Sequence, residues 1–194
     1  PSPCTNTRCA TATPMPTPSS PSPPEEAGAI IEVIRQVSPD VLAVQEMGDP
    51  AAWAEFQNSL RQAGLEYAHV EYLRRDQSVL NLAVLSRFPI VAAHSLVDDT
   101  YTIGPTQFPV LRGFVEIDVA VTPQYRLRLM VAHLKSKVFH SYGQAEMRRN
   151  EARLLNNHVR EALDGNPAVN LLVVGDFNDD PSSAVLQEIR TYKD

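Results

Sequence analysis

Residues 173–181 read Val-Val-Gly-Asp-Phe-Asn-Asp-Asp-Pro, near the end of a chain of 194 residues. An apolar strand runs into a glycine and then into Asp-x-Asn, and strand alternation places Asp176 and Asn178 on the same side of the strand end. This pair suits metal-assisted hydrolysis, because the carboxylate can activate a water and the carboxamide can hold a phosphate oxygen or a metal-bound water. The alternative is an Asx turn that caps the next helix. That turn accounts for residues 179–181 but not for Gly-Asp-Phe-Asn.

A second strand with a polar end lies at residues 41–46, which read Val-Leu-Ala-Val-Gln-Glu. Glu46 closes a strand that the sequence predicts to be buried, where an unpaired carboxylate is costly. A divalent cation would offset that cost, because Mg²⁺ prefers hard oxygen ligands. The alternative is an exposed glutamate one residue beyond the sheet, and these six residues alone leave both interpretations open.

A third strand with a polar end lies at residues 129–137, which read Leu-Met-Val-Ala-His-Leu-Lys-Ser-Lys. His133 and Lys135 share a parity along the strand, so both side chains could face a phosphate. The alternative for His133 is a structural histidine at the strand end, although the Lys-Ser-Lys that follows favours anion binding. Layered α/β proteins assemble their sites at strand ends, and the three polar strand ends together therefore indicate one site.

Residues 1–24 differ in composition from the rest of the chain. They contain eight of its 16 prolines, with Ser and Thr filling most of the gaps. Such a stretch buries too little apolar surface to offset the entropy of ordering. We therefore predict a disordered Pro/Ser/Thr-rich leader over residues 1–24, or alternatively a proline-rich ligand for a recognition domain. The folded domain is predicted over residues 25–194.

Apolar periodicity predicts a mixed α/β domain in which helices flank apolar strands. Ser22 is a candidate cap for the first helix, with Pro23 at its first position and Glu25 completing a capping box. Residues 38–39, Ser-Pro, should end that helix. The later helices are expected from Asp49, over about 142–163, and from Asp180. Strands are expected at about 40–46, 66–73, 79–86, 90–97, 111–121, 125–134 and 169–175.

Composition narrows the possible classes of protein. The formal net charge of -6 disfavours tight, sequence-blind binding of duplex nucleic acid, which relies on many cationic contacts to phosphate. Small phosphoesters, lipid head groups and single strands remain open as substrates. Cys4 and Cys9 are the two cysteines, so a disulfide framework or a thiolate zinc site in the predicted domain is excluded. The longest apolar runs are too short to span a bilayer, and the compartment is left undecided.

Four segments, taken in order, resemble the motifs of the endonuclease/exonuclease/phosphatase superfamily, the DNase I-like proteins. One resembles the Gln-Glu motif, the next a stretch that usually reads Gly-x-Ala-x-Leu-Ser-Arg-x-Pro-Ile. The third resembles the motif whose histidine contacts phosphate, and the last matches Gly-Asp-Phe-Asn. In this chain they are Asp40–Glu46, Asn81–Ile90, Val131–Lys135 and Gly175–Asp179. The resemblance extends over about 170 of the 194 residues.

The resemblance implies a DNase I-like four-layer α/β/β/α sandwich with its site at one rim. It also implies bound Mg²⁺ or Mn²⁺ and a phosphoester substrate, with nucleic acid among the candidates, in a monomeric protein. Glu46 would bind the metal, and Asp176 would activate water for in-line attack. The side chains expected to contact phosphate or to stabilise its charge are Asn178, His133, Arg112 and Lys135.

Two motifs of the superfamily are not seen in this sequence. Its members open with a strand ending in Trp-Asn or a similar pair and close with a strand pair ending in Ser-Asp-His. The position of the first is taken here by the proline-rich stretch, and Asp194 follows soon after the Gly-Asp-Phe-Asn motif. We therefore expect a sandwich that is incomplete at both ends and lacks part of the site. The alternative to a hydrolase is a non-catalytic, truncated relic that acts as a binding module or has no function.

The assignment makes a geometric prediction, because its residues are far apart in the chain. Glu46, His133, Asp176 and Asn178 should converge at one rim of the sheets. The carboxylates of Glu46 and Asp176 should lie within about 10 Å, the span of a metal, a phosphate and their ligands.

Overall fold

The computed structural model describes residues 24–75 and 78–191, with the side chains of residues 24 and 25 left out. The predicted leader and the capping pair Ser22 and Pro23 therefore lie outside the described residues, except for Pro24. The first helix begins at Pro24, which is favoured at a helix start because its ring fixes a helical φ and its missing N–H would lack a helical partner there.

Four helices and nine strands make up the described part of the chain. The helices are α1 (Pro24–Val37), α2 (Pro50–Gln62), α3 (Gln144–Gly165) and α4 (Ala184–Arg190). The strands are β1 (Val41–Val44), β2 (His69–Leu73), β3 (Leu82–Ser86), β4 (Ile90–Ala93), β5 (Thr100–Ile103), β6 (Thr106–Pro109), β7 (Phe114–Thr122), β8 (Tyr125–His133) and β9 (Asn170–Asp176).

The first sheet is antiparallel and has the strand order β1-β3-β2. Its central strand β3 is buried along its whole length, as a strand covered on both faces must be. Helices α1 and α2 cover the outer face, where Trp53 and Leu60 pack with Leu85 and Ile34. Asp49 caps α2 by accepting the first free amides of the helix, which confirms the predicted start of that helix.

The second sheet has the order β4-β7-β8-β9, in which β8 and β9 are parallel and the other pairs are antiparallel. Helix α3 makes the crossover between β8 and β9. Helices α3 and α4 cover the outer face of this sheet, where Leu155 and Ile189 pack with Met130. A third apolar cluster, which includes Val84, Val115 and Val131, fills the space between the two sheets. The four layers are therefore helix, sheet, sheet and helix, and the predicted α/β/β/α sandwich is confirmed.

Two local predictions differ from the structure. Residues 98–110, expected to be a loop, contain the β5–β6 hairpin, whose turn includes Gly104 at a positive φ of 58°. The last helix begins at Ala184 and not at Asp180, because the Ser183 side chain accepts the amide of Leu186 and takes the capping position. Within the described ranges, none of the helices combines the length and apolarity needed to cross a bilayer.

The register of β8 and β9 depends on a close approach at Gly175. Gly175 has a φ of 141° and lies opposite Ala132, and a Cβ at this position would overlap the Ala132 carbonyl. Only glycine combines this backbone conformation with this separation at little cost.

Gly175→Ala should therefore lower the free energy of unfolding by about 2–4 kcal/mol, because both the steric overlap and the backbone strain are imposed at once. Urea unfolding followed by circular dichroism measures the change. Gly165→Ala is the matched control, because a Cβ there meets open space at the end of α3 and should change stability by less than about 1 kcal/mol. Equal effects of the two substitutions would contradict this assignment of the strand register.

Candidate active site

His133 lies at the centre of the rim where three polar strand ends meet. It is the last residue of β8, and its side chain is 4% exposed. Its Nε2 atom lies 3.8 Å from Glu46 Oε1 and 4.0 Å from Asp176 Oδ2. Since both oxygens lie so close to one nitrogen, they are at most about 8 Å apart. The predicted convergence of the two carboxylates within about 10 Å is confirmed.

The parallel pairing of β8 with β9 positions Asp176. His133 and Asp176 are directly paired in the register, and the Leu134 amide donates to the Asp176 carbonyl beyond the last pair. The two strand ends therefore carry their polar side chains to the same edge. The Asp176 side chain is 55% exposed, so its carboxylate is open to solvent while the neighbouring imidazole is buried.

Glu46 reaches the same edge from beyond the end of the first sheet, and the structure decides between the two interpretations that the sequence left open. Strand β1 ends at Val44, and the Glu46 side chain is 62% exposed. Glu46 is therefore not an unpaired buried carboxylate. The alternative, an exposed glutamate just beyond the sheet, is confirmed. Glu46 has a φ of 58°, and the amides that follow it, Met47 and Gly48, donate to the carbonyls of Asn81 and Val79. This turn is what directs the side chain towards His133.

Burial determines the charge state of His133. Removal from water lowers the pKa of His133, and the Arg112 guanidinium lowers it further, while Glu46 and Asp176 act in the opposite direction. The net effect is a lowered pKa, so the imidazole is neutral at pH 7. Its Nε2 faces two carboxylate oxygens, which favours the tautomer with the proton on Nε2.

Asn178 lies in an Asx turn, although not the helix-capping turn that the alternative interpretation expects. Its backbone amide donates to Asp176 Oδ1 at 2.8 Å, whereas the helix that follows is capped by Ser183. The Asn178 side-chain Nδ2 donates to the Leu134 carbonyl at 2.9 Å, back towards the strand of His133. The turn holds Asp176 near the imidazole and Asn178 against the carbonyl of the residue after His133.

Arg112 joins the site through the same carbonyl. Its guanidinium is buried and donates to the Leu134 oxygen at 3.2 Å. One carbonyl next to His133 therefore accepts hydrogen bonds from both Arg112 and Asn178. This shared acceptor brings together two residues that are 66 positions apart in the sequence.

Lys135 is placed differently from the sequence prediction. The strand ends at His133, so the alternation that put the two side chains on one face does not extend to Lys135. Its ammonium lies 3.3–3.5 Å from Ser136 and Val138 oxygens of the loop that follows. The described structure thus places this group against its own loop, and its proposed contact with phosphate would require it to leave these oxygens.

Two residues beneath the rim, Arg148 and Glu151, were missed by the sequence interpretation. Arg148 in α3 donates to Asp179 at 3.0 Å and to the Lys135 carbonyl at 3.2 Å, and Glu151 accepts the Lys135 amide. The signal was present in the helix pattern: Met147, Glu151 and Leu155 recur at every fourth position, so a carboxylate stands on the apolar stripe. A charged residue at such a position indicates a buried polar contact.

The donor chemistry at the rim fits a hard divalent cation in part. Glu46 and Asp176 each place a carboxylate oxygen within 4.0 Å of His133 Nε2, and such oxygens are the ligands that Mg²⁺ and Mn²⁺ prefer. Among residues 24–75 and 78–191, however, no group of three or more His, Cys, Asp and Glu side chains is arranged to hold a metal. The described residues thus supply part of a coordination shell.

Comparison with known proteins is consistent with this arrangement. The sequence of residues 6–194 matches a family described as "Endonuclease/Exonuclease/phosphatase family". The matched range begins inside the proline-rich stretch. No curated protein sequence matches the chain.

Similar solved structures share the fold at low sequence identity. Truncated TDP2 from Caenorhabditis elegans has a TM-score of 0.63 and 17% identity, with 88% of this chain and 59% of that chain covered. Sphingomyelinase C from Streptomyces griseocarneus has a TM-score of 0.63 and 19% identity, with coverages of 85% and 61%. The human nocturnin catalytic domain with bound sulfate has a TM-score of 0.60 and 18% identity, with coverages of 84% and 60%. This chain spans about three-fifths of the length of these proteins.

The Arg148–Asp179 pair should stabilise the loop that carries Asn178. Asp179→Ala leaves the buried Arg148 guanidinium without this carboxylate, which should lower the free energy of unfolding by about 2–3 kcal/mol at pH 7. Glu188→Ala is the matched control, because the Arg153–Glu188 pair is more exposed and longer, at 3.7 Å, and should contribute less than about 1 kcal/mol. Urea midpoints of the two variants give the comparison.

The pH dependence of the same pair tests its electrostatic origin. Burial disfavours the charge on Asp179, but hydrogen bonds from Arg148 and from the Asp180 amide outweigh burial and hold the pKa of Asp179 below its usual value. A lowered pKa adds stability at pH values above the ordinary aspartate range, and this stability is lost as the pH falls. The difference in the free energy of unfolding between wild type and Asp179→Ala should therefore become smaller as the pH falls. A constant difference from pH 7 to pH 3 would argue against the ion pair.

Proposed function

The chain belongs to the endonuclease/exonuclease/phosphatase family, and on that premise we propose that it is a metal-dependent phosphoester hydrolase of the nuclease or phosphodiesterase type. The observation that carries the proposal is the convergence of Glu46 and Asp176 on the buried imidazole of His133. The three residues come from two sheets and three separate parts of the chain. A structural role for any one of them would not require the other two at the same rim.

Glu46 is the residue that we propose to hold Mg²⁺ or Mn²⁺, with a carboxylate that is open to solvent and close to His133. Members of this family generally depend on divalent metals, and the oxygen ligand suits either ion. When bound, the ion supplies Lewis-acid polarisation of a phosphoryl oxygen. The described residues complete only part of its shell.

Asp176 is the proposed general base. The amide of Asn178 holds its Oδ1, while Oδ2 faces the imidazole at 4.0 Å. The carboxylate is thereby fixed in orientation and still open to solvent, as required to take a proton from an attacking water. The water oxygen would then attack the phosphorus atom of a substrate seated over His133 in line with the leaving group, so that the new P–O bond forms as the ester P–O bond breaks and the leaving oxygen takes a proton from solvent.

His133, Asn178 and Arg112 are the proposed stabilisers of the charge that develops on the phosphoryl group. A neutral imidazole with a proton on Nε2 can donate to a phosphate oxygen without being repelled by the metal. The carbonyl of Leu134 holds the side chains of Asn178 and Arg112 before substrate arrives. Donors that are fixed in advance stabilise a transition state without a cost of reorganisation at the moment of reaction.

A second candidate function is that of a non-catalytic module that binds a phosphoester without cleaving it. The observation that favours it is that no group of three metal-holding side chains is found among the described residues. Both candidates predict phosphate binding at the rim, and only the hydrolase predicts turnover. Nucleic acid, phospholipid and small phosphoester substrates are separated by a panel assayed with Mg²⁺, Mn²⁺ and EDTA.

Asp176→Asn should reduce turnover of bis(p-nitrophenyl) phosphate at least about 100-fold in the presence of Mg²⁺, because the variant lacks the base. The amide oxygen still accepts from Asn178, so the melting temperature should change little. Asp98→Asn, an exposed carboxylate in the same domain, is the control and should leave the rate unchanged. An Asp176→Asn protein as active as wild type would refute the assigned base.

Glu46→Gln should weaken the affinity for the metal rather than abolish the chemistry. The metal concentration for half-maximal rate should rise about tenfold or more, because a neutral amide replaces a charged oxygen ligand. Raising the concentration of Mn²⁺ should then restore part of the rate. Glu55→Gln on the exposed side of α2 is the control. An unchanged metal dependence in Glu46→Gln would exclude Glu46 as a ligand.

A further inference from the structure

Four buried side-chain polar atoms lack a hydrogen-bond partner within residues 24–75 and 78–191. They belong to residues at or just below the rim of the candidate site. They are Tyr101 Oη, Arg112 Nε, His133 Nδ1 and Glu151 Oε1. Buried polar groups normally find partners, so a cluster of such atoms in one part of the molecule points to function there.

Glu151 is the most deeply buried charged residue of this group. It is 1% exposed and stands on the face of α3 that packs against the second sheet, between Met147 and Leu155. A leucine would suit that apolar stripe, whereas a carboxylate is costly to bury without compensation. The contacts of the Glu151 carboxylate should therefore explain why a charged residue occupies this buried position.

Glu151 Oε2 accepts the backbone amide of Lys135 at 2.6 Å. That N–H belongs to the same peptide unit as the Leu134 carbonyl, which accepts Arg112 and Asn178. One planar peptide group thus receives a carboxylate on its N–H side and two site residues on its C=O side. Because a peptide is rigid and polarisable, a strong acceptor at the N–H fixes its orientation and makes its oxygen a stronger acceptor.

We propose that Glu151 is a positioning residue that holds Arg112 and Asn178 in the site through the Leu134–Lys135 peptide group. It contacts no reacting atom and acts from below the rim. The proposal rests on the proposed function, since Arg112 and Asn178 are taken to act on phosphate. It also explains the charged residue on the apolar stripe of α3, which the hydrolase mechanism leaves unexplained.

The charges around Glu151 fit this role. Burial raises the pKa of Glu151 to about 7, while the Lys135 amide and the cationic side chains of Arg112, Lys135 and Arg148 act to lower it. Burial raises the pKa of Tyr101 in β5, and the Glu151 charge raises it further. The cations come from the segment before β7, from the loop after β8 and from α3. The Glu151 carboxylate therefore lies within the electrostatic influence of three cations that come from three different elements.

The first test compares two substitutions at one position. Glu151→Gln keeps an oxygen that can accept the Lys135 amide, whereas Glu151→Leu removes the acceptor and keeps the volume. Glu151→Leu should lower kcat on bis(p-nitrophenyl) phosphate about tenfold or more, with a smaller change in KM, because the aligned donors act mainly in the transition state. Glu151→Gln should recover most of that loss at pH 8. Glu146→Leu, an exposed position on the same helix, is the control.

The second test needs no turnover and uses the wild-type chain and Glu151→Gln. The Lys135 amide and the Asn178 side-chain amide should both shift in ¹H–¹⁵N NMR spectra as the pH passes through about 7. Both titrations should disappear in Glu151→Gln while the spectra otherwise remain those of a folded protein.

The outcomes separate this proposal from the proposed function. If the Lys135 and Asn178 signals titrate together in a chain that cleaves no phosphoester, the positioning role of Glu151 is supported and the proposed hydrolase function is rejected. Lys135 and Asn178 amide signals that are the same in wild type and Glu151→Leu, or equal activity of these two proteins, would overturn the positioning role.

Discussion

The parallel pairing of β8 with β9 is the constraint on which the site depends. It places His133 beside Asp176 in the register. The close approach of the two backbones at Gly175 leaves no room for a side chain between them. Helix α3 must cross from the end of one strand to the start of the other, and it therefore passes beneath the same rim. Arg148 and Glu151 of α3 contact the segments that carry the site for this reason.

The two-sheet architecture supplies the third group. Glu46 belongs to the sheet opposite His133, and the distance between them depends on how the sheets pack face to face. Apolar side chains such as Val84 and Val131 fill that interface. Gln45 donates to the Ala132 carbonyl at 3.5 Å and links the sheets near the rim. A site built across a packed core is held by the stability of the whole sandwich, so the opposing carboxylates keep their separation without a direct bond.

The sequence predicted those parts of the site that depend on local pattern. Asp176, His133 and Glu46 each follow an apolar run, and a change from apolar to polar residues marks a strand end in the sequence itself. The motifs then indicated the family and with it the four layers.

Lys135 was misplaced because parity applies only while the strand continues, and the strand ends two residues earlier. The start of α4 was misplaced because Ser183 competes with Asp180 for the cap, and local preference does not rank the two. The role of Glu151 could not be predicted from the sequence, because its partner is a backbone amide that only tertiary packing brings to it.

We expect Glu46, His133 and Asp176 to act together in one metal-assisted site. Titration of the ¹⁵N-labelled protein with Mn²⁺ tests this expectation most directly, because a paramagnetic ion broadens the amide signals of nearby residues. Low Mn²⁺ should first broaden the amides around Glu46, His133 and Asp176, and Glu46→Gln should remove this selectivity. Broadening that is uniform, or that is centred away from this rim, would contradict this expectation.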